Sequence, residues 1–465
     1  MATDVDCAVV GAGFAGLAAA NALQLAGASV AVLEARERVG GRSAPAEIAG
    51  LTMDFGGMWL GPTQTRISAL AREVGAEIYA QPIEGRGHVQ VNGRAARIPK
   101  DAVELAVPLV PRLELLRLQL QLDRLAKRVP LDAPWAGKGA VALDRLTVTE
   151  WAKRHVWMAT VRAFLSQVCR TLLCAEPEEV SMLFFVFYMK SAGGLERLLG
   201  MQGEGGQAQL VKGSMHRIAL ELAQRLERPV QLRAPARAIV ERDEQVVVRT
   251  DEGEVRAHYA IVATPPGLAE RLHFEPGLSE QKARLLSRQT MGSCIKVYVA
   301  YARPFWRARG SNALCLSDGD AFTPVMDVTP PGTERGVLVG FFDAEPARAW
   351  TDRSPEERRA EVLETLRRDL GDDALQPVDY AEKDWCKDRW SEGCYGASMG
   401  PGTMTELGPA LRVPHGRVHW AGTETSTVWS GYIEGAVRSG ERAAAEVAQR
   451  LRRTIATEEA ASAAS

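Results

Sequence analysis

The sequence predicts an α/β protein with two domains, one Rossmann-like and one α+β. Two observations carry this prediction. The first is a glycine-rich strand, turn and helix near the start of the 465-residue chain. The second is a change from helical periodicity to short alternating strands after Val230. A chain of this length can form two or three sizeable cores.

The first unit of the Rossmann-like domain is the segment CAVVGAGFAGLAAANAL, which begins at residue 7. An apolar strand, Val5–Val10, precedes three glycines. Gly11 permits a tight turn, Gly13 allows the backbone to approach a pyrophosphate, and Gly16 allows the helix to pack closely on the sheet. The helix N-terminus then offers unpaired N–H groups to phosphates.

A second predicted strand, Ser29–Leu33, ends in Glu34, about 20 residues after the turn, where a carboxylate can accept hydrogen bonds from ribose hydroxyls. The basic glycine turn Arg38–Arg42 (RVGGR) follows, and its arginines can bind pyrophosphate oxygens. Together these features predict a dinucleotide site, and the basic turn favours FAD over NAD.

The uncharged stretch 7–33 is long enough for a membrane span and lies where a signal peptide would, but neither fits the residues. Asn21, Gln24 and the repeated glycines suit a βαβ unit better than a membrane span. Asp4 and Asp6 stand where a signal peptide would carry positive charge. We therefore expect no membrane attachment and a cytoplasmic location.

Composition limits the partners. The net charge of -2 gives no sign of binding to nucleic acid or to an anionic membrane, so small-molecule partners are expected. The seven cysteines have neither metal-ligand spacing nor a secreted disulfide pattern, and they fit a reducing cytosol. Pro414 and Gly416 argue against a helix that would bring His415 and His419 to a common metal, so no metal site is predicted.

The remaining pattern gives a coarse order of elements. Predicted helices or mainly helical segments lie in 101–128, 145–225, 354–370 and 432–452, and Glu178–Lys190 is apolar on nearly all sides and predicted to be buried. Arg66–Ala80 is predicted to be a helix followed by a strand. Strands are expected after Val230, within 292–343 and at His419–Gly422, a helix is expected to begin near Ser430, and the small polar tail 454–465 is expected to be disordered.

Four further segments carry a family resemblance. They are FGGMWLGPTQTR at 55–66, MGSCIKVYVAYARPFWR at 291–307, SEGCYGASMGPGTMT at 391–405 and AGTETSTVWSGYIEGAVRSGERAA at 421–444. With GAGFAG and EARERVGGR, they make the chain resemble the flavin-dependent monoamine oxidases over nearly its whole length. The resemblance implies a glutathione-reductase-like FAD domain of the amine oxidase type and an α+β substrate-binding domain.

The resemblance also implies roles for single residues. Lys296 corresponds to the family lysine that holds a water near flavin N5, and Tyr395 and Tyr432 correspond to the two rings that flank the amine. Cys394 corresponds to the cysteine that carries the flavin in the animal enzymes, and Trp385 to an indole near the ring system. Glu392 stands where the family has a glycine, so covalent attachment through Cys394 stays open.

Further positions follow from the same resemblance. The implied cofactor-binding residues are Gly11, Gly13, Gly16, Glu34, Arg36, Arg42, Gly57, Ala236, Trp385, Cys394, Gly422, Thr423, Glu424 and Ile433, and the implied substrate cavity contains Leu172, Leu199, Gln207 and Met326. The cavity residues are mostly apolar, which favours a primary monoamine with an aromatic or alkyl group. Asp327 is either the partner of a second ammonium, as in a diamine such as putrescine, or a turn residue before Pro330.

The implied activity is FAD-dependent oxidation of an amine to an imine and then an aldehyde, with hydride transfer to flavin N5 and reduction of O2 to H2O2. Alternatives are a diamine or polyamine oxidase, an L-amino-acid oxidase with an arginine clamp, and a flavoprotein without oxidase turnover. The GxSxG pattern at 396–400 raises a hydrolase with Ser398 as nucleophile, but Gly400, Pro401 and Gly402 would break the helix that such a site needs.

The predicted domain boundaries follow the positions of these motifs. The FAD domain is expected at 1–79, 212–290 and 395–453, and the substrate domain at 80–211 and 291–394. A homodimer is a further expectation.

Overall fold

The computed structural model describes residues 3–91, 93–102, 108–242 and 244–464. The chain divides into two compact units. Unit 1 comprises Met1–Ser43, His216–Thr290 and Leu407–Ser465, and unit 2 comprises Ala44–Met215 and Met291–Glu406.

The strands in chain order are β1 (Thr3–Val10), β2 (Val30–Leu33), β3 (Pro45–Ile48), β4 (Leu51–Asp54), β5 (Trp59–Leu60), β6 (Ile78–Ala80), β7 (Arg86–Val91), β8 (Arg94–Pro99), β9 (Gln209–Val211), β10 (Ala236–Arg242), β11 (Gln245–Thr250), β12 (Gly253–Val262), β13 (His273–Glu275), β14 (Gln289–Met291), β15 (Cys294–Tyr301), β16 (Ser311–Ser317), β17 (Val325–Asp327), β18 (Gly336–Asp343), β19 (Asp379–Asp384), β20 (Ala397–Met399) and β21 (Val418–Trp420).

The α-helices are α1 (Phe14–Leu25), α2 (Thr65–Glu73), α3 (Leu109–Arg128), α4 (Ala140–Asp144), α5 (Val148–His155), α6 (Ala159–Leu173), α7 (Met182–Ser191), α8 (Leu195–Leu199), α9 (His216–Gln224), α10 (Pro266–Glu270), α11 (Glu280–Ser287), α12 (Phe305–Ala308), α13 (Glu345–Thr351), α14 (Pro355–Leu370), α15 (Thr403–Leu407) and α16 (Ile433–Ala464). Single 3-10 turns lie at Pro134–Ala136, Asp372–Leu375, Gly408–Ala410 and Thr423–Thr425.

Unit 1 is built on a sheet with the strand order β13-β10-β11-β12-β1-β2, and β21 pairs with β12. β1 is parallel to both of its neighbours, so Cys7 lies opposite Val30 on one side and Tyr259 on the other. This is the parallel arrangement that the glycine turn predicts. α1 and α16 approach so closely that a Cβ at Gly440 would overlap the carbonyl oxygen of Ala15.

Unit 2 is built on a sheet with the order β19-β15-β18-β17-β16-β7-β8. β15 is antiparallel to β18 and β19, and all eight of its residues are buried. β5, β9 and β6 form a small second sheet. Nine of the ten residues of α7 are buried, as the apolar sequence predicts for a helix covered on every side.

Most expected elements are present. The segment 101–128 is helical from Leu109, while 103–107 lie outside the described residues. α16 begins at Ile433, three residues later than expected. It also includes 454–464, so the expectation of a disordered tail is wrong there: alanine and glutamate are strong helix formers, and this stretch has no glycine or proline.

The unit boundaries differ from the predicted domains because 44–79, 212–215 and 395–406 belong to unit 2. Trp59 and Tyr79 both pair with Leu210 across the small sheet. Near the second boundary, the Met399 carbonyl accepts a hydrogen bond from the Ser181 amide. These pairings join residues far apart in sequence, so the motif order could not show them. No helix in the described residues is both long and apolar enough to cross a bilayer.

Candidate active site

The glycine turn after β1 has the predicted geometry. Gly11 has φ +102°, in the region that favours glycine, and a Cβ there would lie 3.1 Å from the Ala263 carbonyl oxygen. A Cβ at Gly16 would overlap the carbonyl oxygen of Gly11. Both glycines are therefore required by the packing of the turn itself.

Gly13 has a different role. It caps α1 without a side-chain hydrogen bond, and a Cβ there would meet only the Gly41 Cα, at 3.9 Å. The space beside this residue and the uncapped helix N-terminus together form the open cradle that a pyrophosphate needs. The residues present thus fit the dinucleotide that the sequence predicts.

The Glu34 carboxylate is held in place by backbone donors. Its two oxygens accept hydrogen bonds from the amides of Ala12, at 2.8 Å, and Arg36, at 2.9 Å, and the Arg36 guanidinium lies 3.7 Å away. A carboxylate offers about four lone-pair sites. Two sites remain for further donors, and the binding of ribose hydroxyls there stays a prediction.

A segment that sequence reasoning missed continues the sheet beside Glu34. The amide of Glu34 donates to the Gln231 carbonyl, and the amide of Ala234 donates to the Glu34 carbonyl, both at 2.9 Å. Ala236, a predicted cofactor residue, is the first residue of β10 just beyond this segment. The pairing joins residues about 200 positions apart, so no local pattern could have indicated it.

The basic turn is tied to the last part of unit 1. Arg42 donates to both oxygens of Glu424, at 2.6 and 3.3 Å. Arg38 instead donates to carbonyls of its own turn, those of Val39, Gly41 and Ser43. Of the turn's two arginines, Arg42 therefore makes the long-range link and Arg38 stabilises the loop.

The segment that leads into α16 is compact. Gly422 has φ +118°, and its amide donates to Ser439 Oγ at 3.0 Å. Thr423 Oγ1 donates to the Tyr432 carbonyl at 2.9 Å, and the Tyr432 ring lies edge-on to Trp429, with centroids 4.8 Å apart. These contacts fix Tyr432 immediately before Ile433, where α16 begins.

In unit 2 the central feature is the buried amine of Lys296. Its Nζ donates to the Gly56 carbonyl at 2.8 Å and lies 3.0 Å from Met58 Sδ. The rings of Trp59 and Phe341 each have their centroids 5.6 Å from it. The FGGM turn, in which Gly57 is exposed, thus contacts β15 in the seven-stranded sheet of unit 2 at this lysine.

Burial lowers the pKa of Lys296 from 10.5 to about 8, and the nearby Asp54 carboxylate partly opposes the shift. An amine with such a pKa changes charge near physiological pH. Perturbed groups of this kind cluster at functional sites.

Three further predicted residues belong to the same apolar cluster as the rings around Lys296. Cys394 and Trp385 are buried in it, and Tyr395 packs against it. The Tyr395 ring is perpendicular to that of Phe341, with centroids 6.2 Å apart, and burial raises its pKa well above 10. The Trp385 indole donates to the Phe55 carbonyl at 3.0 Å.

The predicted cavity residues are spread over unit 2. Met326 belongs to the cluster that contains Cys394 and Trp385. Leu172 is buried near the end of α6, and its carbonyl accepts a hydrogen bond from Tyr188 at 3.1 Å. Leu199 and Gln207 are half-buried, at the end of α8 and in the loop before β9. The structure thus associates Met326 most directly with the candidate site.

Asp327 is buried and already engaged. Its carboxylate accepts hydrogen bonds from the Trp306 indole and the Arg307 guanidinium, both at 2.8 Å, and from the Thr329 amide at 2.9 Å. The bond to Thr329, two residues on, is the turn contact that the sequence suggested.

Two side alternatives receive no structural support. Ser398 lies inside β20, whereas a nucleophile elbow places its serine in the turn between strand and helix. His419 lies in β21 with Nδ1 2.8 Å from Glu446, while His415 Nε2 contacts the Pro276 carbonyl. The two histidines therefore have separate partners.

Fold and site together define an enzyme of the dinucleotide-binding flavoprotein class, with a buried amine in an apolar, aromatic setting. The sequence profile described as flavin containing amine oxidoreductase matches residues 14–448. The chain therefore belongs to the flavin-containing amine oxidoreductase family, with FAD as its cofactor and amine oxidation as its reaction.

Individual relatives agree with this assignment. The chain is 39% identical to a putative flavin-containing monoamine oxidase, AofH, of Mycobacterium tuberculosis, over 96% of this chain and 97% of the relative. It is 38% identical to amine oxidase [flavin-containing] B of Cavia porcellus, over 96% and 86%. Among solved structures, a putrescine oxidase bound to putrescine has a TM-score of 0.92 at 32% identity, covering 96% and 99%. Cyclohexylamine oxidase from Brevibacterium oxydans has a TM-score of 0.91 at 34% identity, covering 97% and 100%.

Proposed function

We propose that this flavin-dependent amine oxidase acts on primary monoamines that carry an aromatic or alkyl group. The buried cluster around the candidate site contains Met326 and Phe341, with Trp59 and Tyr395 packed against it. An apolar site of this kind disfavours an ammonium ion and so favours the neutral amine. The neutral amine is the form that can give up a hydride.

The hydrogen bonds that Asp327 accepts are the main support for a monoamine substrate. Three donors, including the Arg307 guanidinium, already occupy its carboxylate. A second ammonium would have to displace the buried Trp306 or Thr329 donor, leaving it unpaired, or compete with the positive charge of Arg307. An apolar substituent makes no such demand.

When bound, FAD would supply the acceptor for a hydride from the carbon beside the amine nitrogen, and O2 would take up the two electrons with two protons to give H2O2. In unit 2, Lys296 has three N–H donors, of which Gly56 and Met58 account for two. We propose that the third holds the water that hydrolyses the imine. The face of the Tyr395 ring would orient the amine nitrogen.

The role of Tyr432 as a second aromatic ring rests on the family resemblance. We expect Tyr432→Ala to raise KM for aromatic amines more than for alkyl amines. Steady-state kinetics with benzylamine and a straight-chain alkylamine would measure this difference.

A diamine oxidase is the second candidate, since the fold is very similar to that of a putrescine oxidase. An L-amino-acid oxidase is a weaker one, because it would need an arginine to clamp the substrate carboxylate. Arg307 is already bound to Asp327, the residue that follows the predicted cavity residue Met326.

A peroxide assay with benzylamine, tyramine, putrescine and L-amino acids tests the proposal. We expect kcat/KM for the two monoamines to exceed that for putrescine by about tenfold or more, because one misplaced polar group is worth at least this factor. Equal or better turnover of putrescine, or turnover of amino acids alone, would contradict it. A matched anaerobic experiment should show bleaching of the flavin absorbance by benzylamine.

We also propose that the enzyme works in a reducing compartment, as expected for the cytosol. All seven cysteines lie in the described residues and form no disulfide. Fractionation of the producing cells, followed by immunodetection, would check this location.

A homodimer is the proposed assembly. α3 exposes apolar side chains, among them Leu113, Leu116 and Leu120, and exposed patches of this kind often mark contacts between protein chains. A second copy would cover the same face by two-fold symmetry. Light scattering should give a mass twice that of a single chain. The Leu116→Glu substitution should reduce the measured mass to that of one chain.

A further inference from the structure

A second group of reactive side chains lies in unit 2, outside the roles described above. Cys174 is the C-cap of α6, Cys294 is the first residue of β15, and Asp343 is the last residue of β18. Cys294 and Asp343 are directly opposite each other in the antiparallel ladder. The two sulfur atoms and a carboxylate oxygen all lie within 4.8 Å of one another.

The carboxylate of this group is incompletely satisfied. All three side chains are buried, Cys174 Sγ donates to Asp343 Oδ1 at 3.4 Å, and the Cys294 thiol also interacts with this carboxyl group. The other oxygen, Oδ2, is buried and has no hydrogen-bond partner in the described part of the chain. An unpaired buried carboxyl oxygen is costly, so the site as it stands lacks one favourable partner.

A cation would supply that partner. Two thiolates and a carboxylate form a donor set typical of Zn²⁺, which binds sulfur at about 2.3 Å and carboxylate oxygen at about 2.0–2.2 Å in a tetrahedron. That geometry places sulfur and oxygen ligands roughly 3.5 Å apart. The distance between Cys174 Sγ and Asp343 Oδ1 already has this value within 0.1 Å. We propose that Cys174, Cys294 and Asp343 form a zinc-binding site, with one coordination position left for water.

The backbone connects this site to the candidate active site. The Ser293 amide donates to the Cys174 carbonyl at 2.8 Å, and the Cys394 amide donates to the Gly292 carbonyl at 2.9 Å. Gly292–Cys294 therefore lies between the zinc ligands and the segment that carries Cys394 and Tyr395. Bound zinc would hold the end of α6 against the start of β15, and any ligand that prefers the folded state raises stability. The role is structural support, independent of which amine is oxidised.

Zinc content measures the proposal directly. FAD-loaded full-length enzyme is dialysed against a chelator under reducing conditions, exposed to Zn²⁺, passed through gel filtration and analysed for metal. We expect about one zinc per chain in the wild type, as for a single site, and less than about a tenth of this in Cys294→Ala and Asp343→Asn. Cys315→Ala removes a buried cysteine of β16 outside the group and should keep full zinc content.

X-ray absorption at the zinc edge identifies the atoms bound to zinc in the wild type. This measurement tests the proposal even if a variant fails to fold. The expected spectrum shows two sulfur neighbours at about 2.3 Å and lighter neighbours at about 2.0 Å. A spectrum without sulfur, or zinc content unchanged in both variants, would overturn the proposal. So would reduced wild-type protein that takes up no zinc.

Discussion

The guanidinium of Arg42 is bound by both of its terminal nitrogens to the carboxylate of Glu424, a residue 382 positions later in the chain. The pair joins the basic turn after β2 to the segment that precedes α16, within unit 1. Both residues were predicted to contact the cofactor, yet the structure shows that they first bind each other. Their geometry links the first and last segments of unit 1.

Removing the acid of this pair should weaken both folding and cofactor retention. Glu424 is only 5% exposed, so Glu424→Ala removes a largely buried carboxylate that binds the Arg42 guanidinium. We expect a loss of about 2 kcal/mol in the free energy of unfolding. Asp251→Ala is the matched control, because the Arg237–Asp251 pair is about half exposed and should cost less than about 1 kcal/mol. Unfolding in denaturant measures the free energy of unfolding, and the fluorescence of released FAD measures cofactor retention. Equal losses in Glu424→Ala and Asp251→Ala would show that the Arg42–Glu424 pair contributes no more than an exposed pair.

The pKa of Lys296 predicts a pH-dependent oxygen reaction. Below pH 8 its buried ammonium is charged and favours negative charge developing on O2, so the rate of flavin reoxidation should fall as pH rises through about 8. Lys296→Met should lower this rate at pH 7 and remove the inflection. Stopped-flow reoxidation between pH 6.5 and 9.5 measures it; an unchanged inflection in the variant would assign the titration to another group.

The lowered pKa of Lys296 also predicts how the free energy of unfolding changes with pH. Its pKa is near 10.5 in the unfolded chain and about 8 in the folded one, so the unfolded state binds more protons between these values. In the wild type, the contribution of Lys296 to the free energy of unfolding should therefore increase by about 2–3 kcal/mol as the pH rises from 8 to 10.5. Lys296→Met should flatten this part of the stability profile. A variant profile as steep as that of the wild type would be inconsistent with the shift.

The features predicted correctly from the sequence are those fixed by local geometry. The turn at Gly11 and the close packing at Gly16 are present because both are set by local geometry, whereas the contact of Glu34 with a ribose stays a prediction. Lys296 shows where prediction from local pattern ends. The alternation of the strand places Lys296 on the face opposite its apolar neighbours, but it does not decide whether that face contacts solvent or a buried site. The burial of Lys296 results from the distant segment Gly56–Trp59, which covers this face of β15.

Long-range pairing explains what the sequence could not show. Gln231 beside Glu34, Trp59 beside Leu210 and Cys294 opposite Asp343 are each joined by sheet register rather than by spacing along the chain. The unit boundaries at 43 and 406 have the same cause. The family resemblance supplied the roles of Cys394 and Tyr395, which composition and periodicity alone did not indicate.

Two glycine substitutions in the first turn should have different consequences. Gly16→Ala places a methyl group on the Gly11 carbonyl and should prevent folding of unit 1. Gly13→Ala meets no protein atom closer than 3.9 Å, so the chain should fold but bind FAD at least about tenfold more weakly, because the methyl group enters the pyrophosphate cradle. Circular dichroism and FAD titration of the apoprotein separate the two effects. Normal FAD affinity in Gly13→Ala would show that the cradle lies elsewhere.

Covalent attachment of FAD through Cys394 is testable by acid precipitation. Cys394 is buried in the apolar cluster, and its charge interacts with that of Lys296, a neighbour that favours the reactive thiolate. We expect the precipitated wild type to stay yellow and to carry the mass of FAD on the peptide containing Cys394. Cys394→Ala should release all its flavin, whereas Cys386→Ala, which alters a half-buried cysteine eight positions earlier, should not. A colourless wild-type pellet would exclude the bond.

Asp327 distinguishes the monoamine proposal from the diamine alternative. The Asp327→Asn substitution keeps an acceptor for the Thr329 amide but removes the charge that faces Arg307. Because the Arg307 side chain is 43% exposed, we expect a modest loss of about 1–2 kcal/mol in unfolding free energy.

The ratio of kcat/KM for putrescine to that for benzylamine should change by less than about twofold, since the carboxylate binds no substrate ammonium. Benzylamine serves as the internal control for general damage to the enzyme. If the ratio instead fell by about tenfold or more, the loss expected when a buried charge pair with substrate is broken, Asp327 would be a diamine-binding residue and the preference for monoamines would be wrong.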